Sequence, residues 1–254
     1  MSAAVNAAVV TGGARGIGRA IAAQLIADGY AVMIADIRGE AAEQAASELA
    51  ASGATVAACQ VDVADAVACQ QLVTQTVARF GRLDVLVNNA GISQPQPSLE
   101  VSPEDWRRMI DVQLNGVFFC SQAAGHQMVA QAWGGSLVNI TSINAEAAFP
   151  QRASYVAAKA AVAMLTQVLA IEWAEHNIRV NAVGPAHTET EMTAQHIRSG
   201  RIQLDALQKR IPLGRLASVA DVANAVSFLV SDKASFITGQ SLYVDGGYLA
   251  YGYL

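Results

Sequence analysis

Seven short apolar runs, each followed by a stretch long enough for a crossover helix, limit what this chain can fold into. They are AAVVTG (7–12), AVMIAD (31–36), TVAACQVDV (55–63), LDVLVNNAG (83–91), GSLVNITS (135–142), IRVNAVGP (178–185) and SLYVDGG (241–247). Most are apolar on consecutive residues and do not alternate, which is how strands covered on both faces read. An α/β fold follows, a doubly wound parallel sheet with helices on both faces. Ligands bind such sheets beyond the carboxyl ends of the strands, so the residues to inspect are those closing each run: Gly12, Asp36, Asp62, Asn89, Ser142 and Pro185.

No proline-rich, glycine-serine or charge-run linker divides the 254 residues, so residues 1–254 read as one domain. With 53% hydrophobic and 15% charged residues, much surface is buried and some helix faces are expected to meet other subunits. The net charge of −5 and the lack of any Lys/Arg stripe exclude nucleic acid as a partner. The opening MSAAVNAAVVTGG has no basic start and leaves no space for a signal peptide ahead of the first strand. The most apolar long segment, Ala157 to Ile171, carries Lys159 and falls short of a charge-free span of about 20 residues, which predicts a buried helix and no membrane. Cys59, Cys69 and Cys120 are an odd set without CxxC spacing, against both a disulfide framework and a thiolate zinc site. His126, His176 and His196 show no metal spacing, so no metal is expected, and a reducing cytoplasm fits the cysteines best.

TGGARGIG, residues 11–18, follows the first run and opens a helix, with Gly12, Gly16 and Gly18 in G-x-x-x-G-x-G spacing. Glycines let backbone approach a pyrophosphate, and a helix amino terminus supplies free N–H groups and the positive dipole end. The plain alternative is a tight turn between strand and helix. Asp36 closes the second run, near the distance of about 20 residues at which a carboxylate accepts the adenosine ribose hydroxyls. It would repel a 2′-phosphate, which favours NAD over NADP; it could equally cap the helix starting near Gly39, and Arg15 or Arg38 could reach a 2′-phosphate.

Tyr155 and Lys159, four apart in SYVAAKAAVAML, share one helix face. A phenol with pKa about 10 is a poor base at neutral pH, and a nearby ammonium favours its anion. Ser142 closes the fifth run on the rim where the helix of Tyr155 should begin, so its hydroxyl could hold the same substrate oxygen or simply serve a turn.

At this point the chain resembles the short-chain dehydrogenase/reductase family over nearly its whole length: TGGARGIG, the VDV around Asp62, NNAG at 88–91, Asn115 in LNGVFF, Ser142, YVAAK, VNAVGP and the closing YVDGG stand in the family's order. The resemblance implies a single-domain Rossmann fold and hydride transfer between a nicotinamide and a carbinol or carbonyl carbon. It implies Tyr155 as general base or acid, Lys159 lowering its pKa and holding the nicotinamide ribose, Ser142 orienting the substrate oxygen, and Asn115 anchoring a water for a proton relay. Gly12, Arg15, Gly16, Ile17 and Gly18 would cradle the cofactor, Asp62 and Val63 would meet the adenine, and Asn89, Ala90 and Gly91 would pass beside the ribose. Pro185, Thr188 and Thr190 would contact the carboxamide. Where the family commonly has Pro-Gly, this chain has Pro185-Ala186 and then His187, an imidazole that is either a substrate partner or a solvent-exposed loop residue.

The segment 187–215 falls where the family places its substrate lid, and its charges, His196 and Arg201 among them, read as a solvated face. Gln94, Asn144, Glu146, Phe149, Gln151 and His187 form the expected wall near the reacting carbon, a polar set that points to a polyol or sugar-like secondary alcohol. The alternatives are an NADPH-dependent 3-oxoacyl reductase and, from another class, a non-catalytic dinucleotide-binding regulator. The resemblance also implies a homotetramer, with helices around 103–133 and 153–176 packing across one two-fold axis and the last strand and the tail YLAYGYL near another.

Overall fold

The computed structural model describes residues 5–51, 53–200 and 203–252, apart from the side chains of Met192 and His196. The expectations for the first four residues, for the His196 side chain, for Arg201 and for the last two residues of the tail lie outside the described residues.

All seven runs form strands: β1 (Ala7–Thr11), β2 (Ala31–Asp36), β3 (Val56–Gln60), β4 (Val85–Asn88), β5 (Gly135–Ile140), β6 (Ile178–Pro185) and β7 (Ser241–Val244). Every pairing is parallel, in the order β3-β2-β1-β4-β5-β6-β7. The chain order reverses between β1 and β4, paired Ala8 to Val85 and Val10 to Val87, and at such a point doubly wound sheets open a crevice at the carboxyl rim. Several strands stop short of their apolar runs, so Gly12, Asp62, Asn89 and Ser142 stand in the loops just past them.

The helices are α1 (Gly16–Ala27), α2 (Gly39–Ala50), α3 (Ala66–Phe80), α4 (Pro103–Ile110), α5 (Gly116–Gln131), α6 (Ala153–Glu172), α7 (Glu191–Arg198), α8 (Leu204–Arg210) and α9 (Val219–Val230). Strand alternation feeds two cores. Ala8, Val10, Val32 and Ile34 face Ile21 and Leu25 of α1, Ala42 of α2 and Val222 and Val226 of α9. Val9, Met33 and Ala35 face Leu72 of α3, Ala123 and Met128 of α5 and Leu169 of α6. Each fully buried aliphatic side chain contributes about 1.5–3 kcal/mol, so this two-sided burial holds the rim in place.

Helix α6 is longer than the segment 157–171 and, by length and composition only, long and apolar enough to cross a membrane, a test that buried core helices also pass. Its Ser154, Lys159, Val162 and Thr166 are nevertheless buried. Ala157, Ala160, Met164, Val168 and Ile171 stay exposed along its other side.

Candidate active site

Three glycines shape the turn from β1 into α1. Gly12 has φ +61°, and a Cβ there would stand 2.9 Å from Ala90 Cα, so the loop after β4 closes against it. A Cβ on Gly18 would run into the Gly12 carbonyl oxygen. Gly16, with φ +55°, leaves space toward Thr190, whose Cγ2 is the nearest atom at 3.8 Å. The start of α1 has no side-chain cap, whereas Asp65, Ser102 and Ser218 cap α3, α4 and α9. Its N–H groups are therefore left for an anion. Arg15 and Ile17 lie on this turn, Arg15 exposed and Ile17 packed against the core.

Thr11 and Asn89 lock the crevice. The Asn89 and Ala90 N–H groups both donate to Thr11 Oγ1 at 3.0 Å, and Asn89 Nδ2 donates to the Thr11 and Gly12 carbonyls at 2.9 and 3.1 Å. The Asn89 amide is thus occupied in holding the glycine turn. Gln113 does the same for the next residues: it is buried, donates to the Ile92 carbonyl at 2.5 Å, and lies 3.0 Å from where a Gly91 Cβ would stand.

Asp36 is buried at the end of β2. Its carboxylate accepts from Ala14 N–H at 3.3 Å, from Arg38 N–H at 3.1 Å and from Arg38 Nε at 3.3 Å. The capping alternative does not hold, since Arg38 itself occupies the cap position of α2 and no side chain caps that helix. Asp36 and Arg38 form an ion pair at the end of β2, so both signs of charge stand there together. Asp62 is exposed and accepts from Ala64 N–H at 3.0 Å, while Val63 is buried with its Cγ2 2.7 Å from where a Gly116 Cβ would stand.

Past β5, Ser142 starts a short 3₁₀ turn, and its Oγ accepts from Asn144 N–H at 3.1 Å. Its side chain also stands by the Tyr155 phenol and favours the phenolate, so strand end and helix meet there. Lys159 Nζ donates to the Ile140 carbonyl at 2.7 Å and lies 5.7 Å from the Tyr155 ring centroid. Burial pushes Lys159 down to about 8. Burial raises the Tyr155 phenol, opposed by the Ser142 hydroxyl and then by the charge of Arg152. Asn115 closes a π-helical turn, Asp111–Asn115, inserted between α4 and α5, and donates to Asp111 Oδ1 at 2.9 Å. Such insertions often mark functional positions, because the extra residue re-aims the side chains around it.

At the far side of β6, Pro185 is buried, Thr188 Oγ1 donates to the Ala186 carbonyl at 3.1 Å, and Thr190 caps α7. The expected lid contains α7 and α8. The expected substrate wall divides. His187 packs 6.2 Å, centroid to centroid, from both Phe149 and Tyr248, which stack on each other at 6.1 Å. Asn144 is buried and donates to the Ala147 carbonyl at 3.1 Å. Gln94 is exposed and donates to Asp105 Oδ1 at 3.1 Å, and Gln151, also exposed, adopts φ +61°. Burial, and then the charge of Arg152, holds the His187 pKa below its ordinary value.

Sequence reading missed Arg152, Thr11 and Gln113. Arg152 was visible as a cation three residues before the tyrosine; the other two carry no signal until the loops they hold are folded.

A family model described as enoyl-(acyl carrier protein) reductase matches residues 12–249. The chain belongs to the short-chain dehydrogenase/reductase family. Among its relatives in that family, a 3-oxoacyl-[acyl-carrier-protein] reductase FabG of Staphylococcus aureus is 41% identical over 95% of this chain and 97% of its own. A D-threitol dehydrogenase of Mycolicibacterium smegmatis is 39% identical over 95% of this chain and 92% of its own. Among solved short-chain dehydrogenase/reductase structures, a gluconate 5-dehydrogenase from Burkholderia cenocepacia in complex with NADP and tartrate superposes with a TM-score of 0.92 at 36% identity, covering 97% of this chain and 96% of that one. Among the described residues no group of three or more His, Cys, Asp or Glu is placed to hold a metal.

Proposed function

We propose that this oxidoreductase interconverts a secondary alcohol and a ketone, with Tyr155 as the proton-transferring group. The observation that supports it most is the meeting of Ser142, Tyr155 and Lys159 at the β5 rim, with Lys159 tied to the strand end that carries the serine. A dinucleotide fits the residues present: the Gly12 and Gly18 positions exclude a Cβ, α1 begins uncapped, and Thr190 faces Gly16 across the crevice. Gly12, Gly16 and Gly18 would receive the pyrophosphate, Asp36 or Arg38 the adenosine ribose, Val63 the adenine, and Pro185 to Thr190 the nicotinamide end. When bound, the nicotinamide supplies the two-electron chemistry. The chain's part is then positional. Ser142 holds the substrate oxygen, Tyr155 takes the carbinol proton in oxidation and returns it in reduction, and Asn115 sits on the path by which that proton reaches water.

For the substrate we infer a polyol or sugar-like alcohol, supported by the polar wall of Asn144 and His187 and by relatives that are D-threitol and gluconate dehydrogenases. The acyl-reductase reading draws on the FabG relative, and the guanidinium beside Asp36 would serve NADPH. The carboxylate is the more buried partner of that pair, which supports NAD. Initial rates on polyols, sugar acids, simple secondary alcohols and 3-oxoacyl esters, each with both cofactors, separate the readings. A tenfold preference for NADPH with an acyl ester would replace the polyol reading, and unchanged turnover in Tyr155→Phe would sink the mechanism.

A homotetramer in a reducing cytoplasm completes the proposal. The exposed line Ala157, Ala160, Met164, Val168, Ile171 on α6 is suited to close packing with its copy, and all three cysteines are free and buried. Light scattering showing a monomer at micromolar concentration would remove the tetramer.

A further inference from the structure

Arg152 stands one turn before Tyr155, and among the described residues no carboxylate pairs with it. Its Nη1 donates to a neutral acceptor, Ser93 Oγ, at 2.6 Å, and its Cζ lies 5.9 Å from the Tyr155 ring centroid. The side chain is partly withdrawn from water. A guanidinium offers five donors in a planar fork that matches a carboxylate edge to edge, and the serine takes one of them. A partly buried cation without an anion carries a desolvation cost that a bound anion would relieve.

A second polar group lies on the neighbouring loop. His187 Nδ1 is buried without a hydrogen-bond partner, while the ring is fixed between Phe149 and Tyr248. Phe149, three residues before Arg152, packs against the His187 ring, and Arg152 stands beside the Tyr155 ring, so the three groups share one stretch of the rim; the Arg152 charge acts on both of the others. A buried imidazole beside a guanidinium stays neutral and meets a polar ligand by hydrogen bonding, without a second positive charge.

We propose that Arg152 and His187 form a carboxylate-binding subsite, so that the substrate is a hydroxy acid whose carboxylate rests on Arg152 while its carbinol faces Tyr155 and Ser142. His187 takes a further hydroxyl of the same molecule. This deepens the secondary-alcohol reading and rests on it for the carbinol, though the anion site itself is testable without turnover.

Calorimetry with cyclohexanecarboxylate and cyclohexanecarboxamide, each added to the protein in saturating NAD or NADP, isolates the charge. The carboxylate should bind about ten- to hundredfold more tightly than the amide, the size expected of hydrogen bonds to a charged group. Arg152→Gln should erase the difference and Arg152→Lys restore part of it. The matched alcohols 2-butanol and 3-hydroxybutanoate, and glucitol and gluconate, extend the test to turnover. In whichever pair reacts, Arg152→Gln should lower kcat/KM for the acid at least about tenfold more than for the neutral alcohol. Equal binding of carboxylate and amide, no binding of either, or a preference that survives Arg152→Gln would overturn the subsite. If the Arg152-dependent preference stands but no alcohol of either charge reacts, the secondary-alcohol reading fails and the anion site remains; turnover of neutral alcohols with no charge preference has the opposite meaning.

Discussion

The Lys159 ammonium lies 5.7 Å from the centroid of the Tyr155 ring and is anchored to the Ile140 carbonyl at 2.7 Å, so the fold holds this cation in its interior. Burial lowers its pKa to about 8 from an ordinary 10.5. The unfolded chain therefore keeps the proton up to about 10.5 and the folded chain only up to about 8. Between those values the unfolded state binds more protons, and stability rises with pH. Denaturant midpoints of the protein without cofactor, measured from pH 7 to 10, should show wild type gaining on Lys159→Met by up to about 3 kcal/mol. Parallel curves for the two proteins would mean that the lysine is not desolvated.

Ser142 and Arg152 both lower the Tyr155 pKa against the upward push of burial. If Tyr155 is the base, oxidation speeds up as its phenol loses the proton, so the ascending limb of the oxidation profile reports that group. Ser142→Ala then moves that limb upward by roughly one pH unit, the equivalent of losing a hydrogen bond to a charged group. The check is kcat/KM against pH, and a limb that stays put while the rate falls would leave Ser142 a substrate contact alone.

Gly18 has no room for a side chain, because a Cβ would run into the Gly12 carbonyl oxygen, a backbone atom with nowhere to go. Gly18→Ala should cost roughly 1–3 kcal/mol and weaken dinucleotide binding as the turn is displaced. Gly29→Ala is the control. Its φ of +92° strains an alanine, yet nothing lies within 4 Å, so about 1–2 kcal/mol is lost with cofactor affinity intact. Thermal melts with cofactor titrations distinguish the two.

The strands were legible because a two-sided core demands consecutive apolar residues, and all seven runs form them. The glycine turn and the Ser142, Tyr155 and Lys159 set were legible because their spacing fixes their geometry once strand and helix are known. Asp36 was legible as a rim carboxylate, but its pairing with Arg38 depends on the rotamer of a long side chain. Thr11 and Gln113 were out of reach for another reason. Each holds a loop distant in the sequence, Thr11 that of Asn89 and Ala90, Gln113 that of Ile92, and no local pattern marks such long-range hydrogen bonds. Likewise Tyr248 in the tail gains its contact with His187 only when the segment after β7 folds back over the rim.

On the proposed reading, the Asp36 and Arg38 pair decides cofactor choice by which partner is left free. Removing the carboxylate in Asp36→Ala frees Arg38 from its ion pair and takes away the repulsion toward a 2′-phosphate. The ratio of kcat/KM for NADP to that for NAD should rise at least about tenfold, about 1.4 kcal/mol. Arg38→Gln should move the ratio the other way. A ratio indifferent to both changes would place ribose recognition elsewhere, with Arg15 as the next residue to vary.

Asp221 connects the stability of the site to acid. It accepts from Ser218 N–H at 2.7 Å while Ser218 Oγ accepts from Asp221 N–H at 3.1 Å, a reciprocal cap on α9, which packs against α1. The Arg215 guanidinium, with the cap bonds, holds its carboxyl down at about 2. The sign is that of a depressed acid. The contribution is full above the ordinary value of 3.8 and is lost as the pH falls toward 2. Because the side chain is 32% exposed, solvent screening reduces the ion-pair share, and the cap provides most of the effect. Asp221→Ala should therefore cost about 1–2 kcal/mol at pH 7, with only a weak response to salt. Its melting temperature should approach that of wild type near pH 2. A deficit that persists undiminished at that pH would mean that packing of α9, not the carboxylate, sustains the cap.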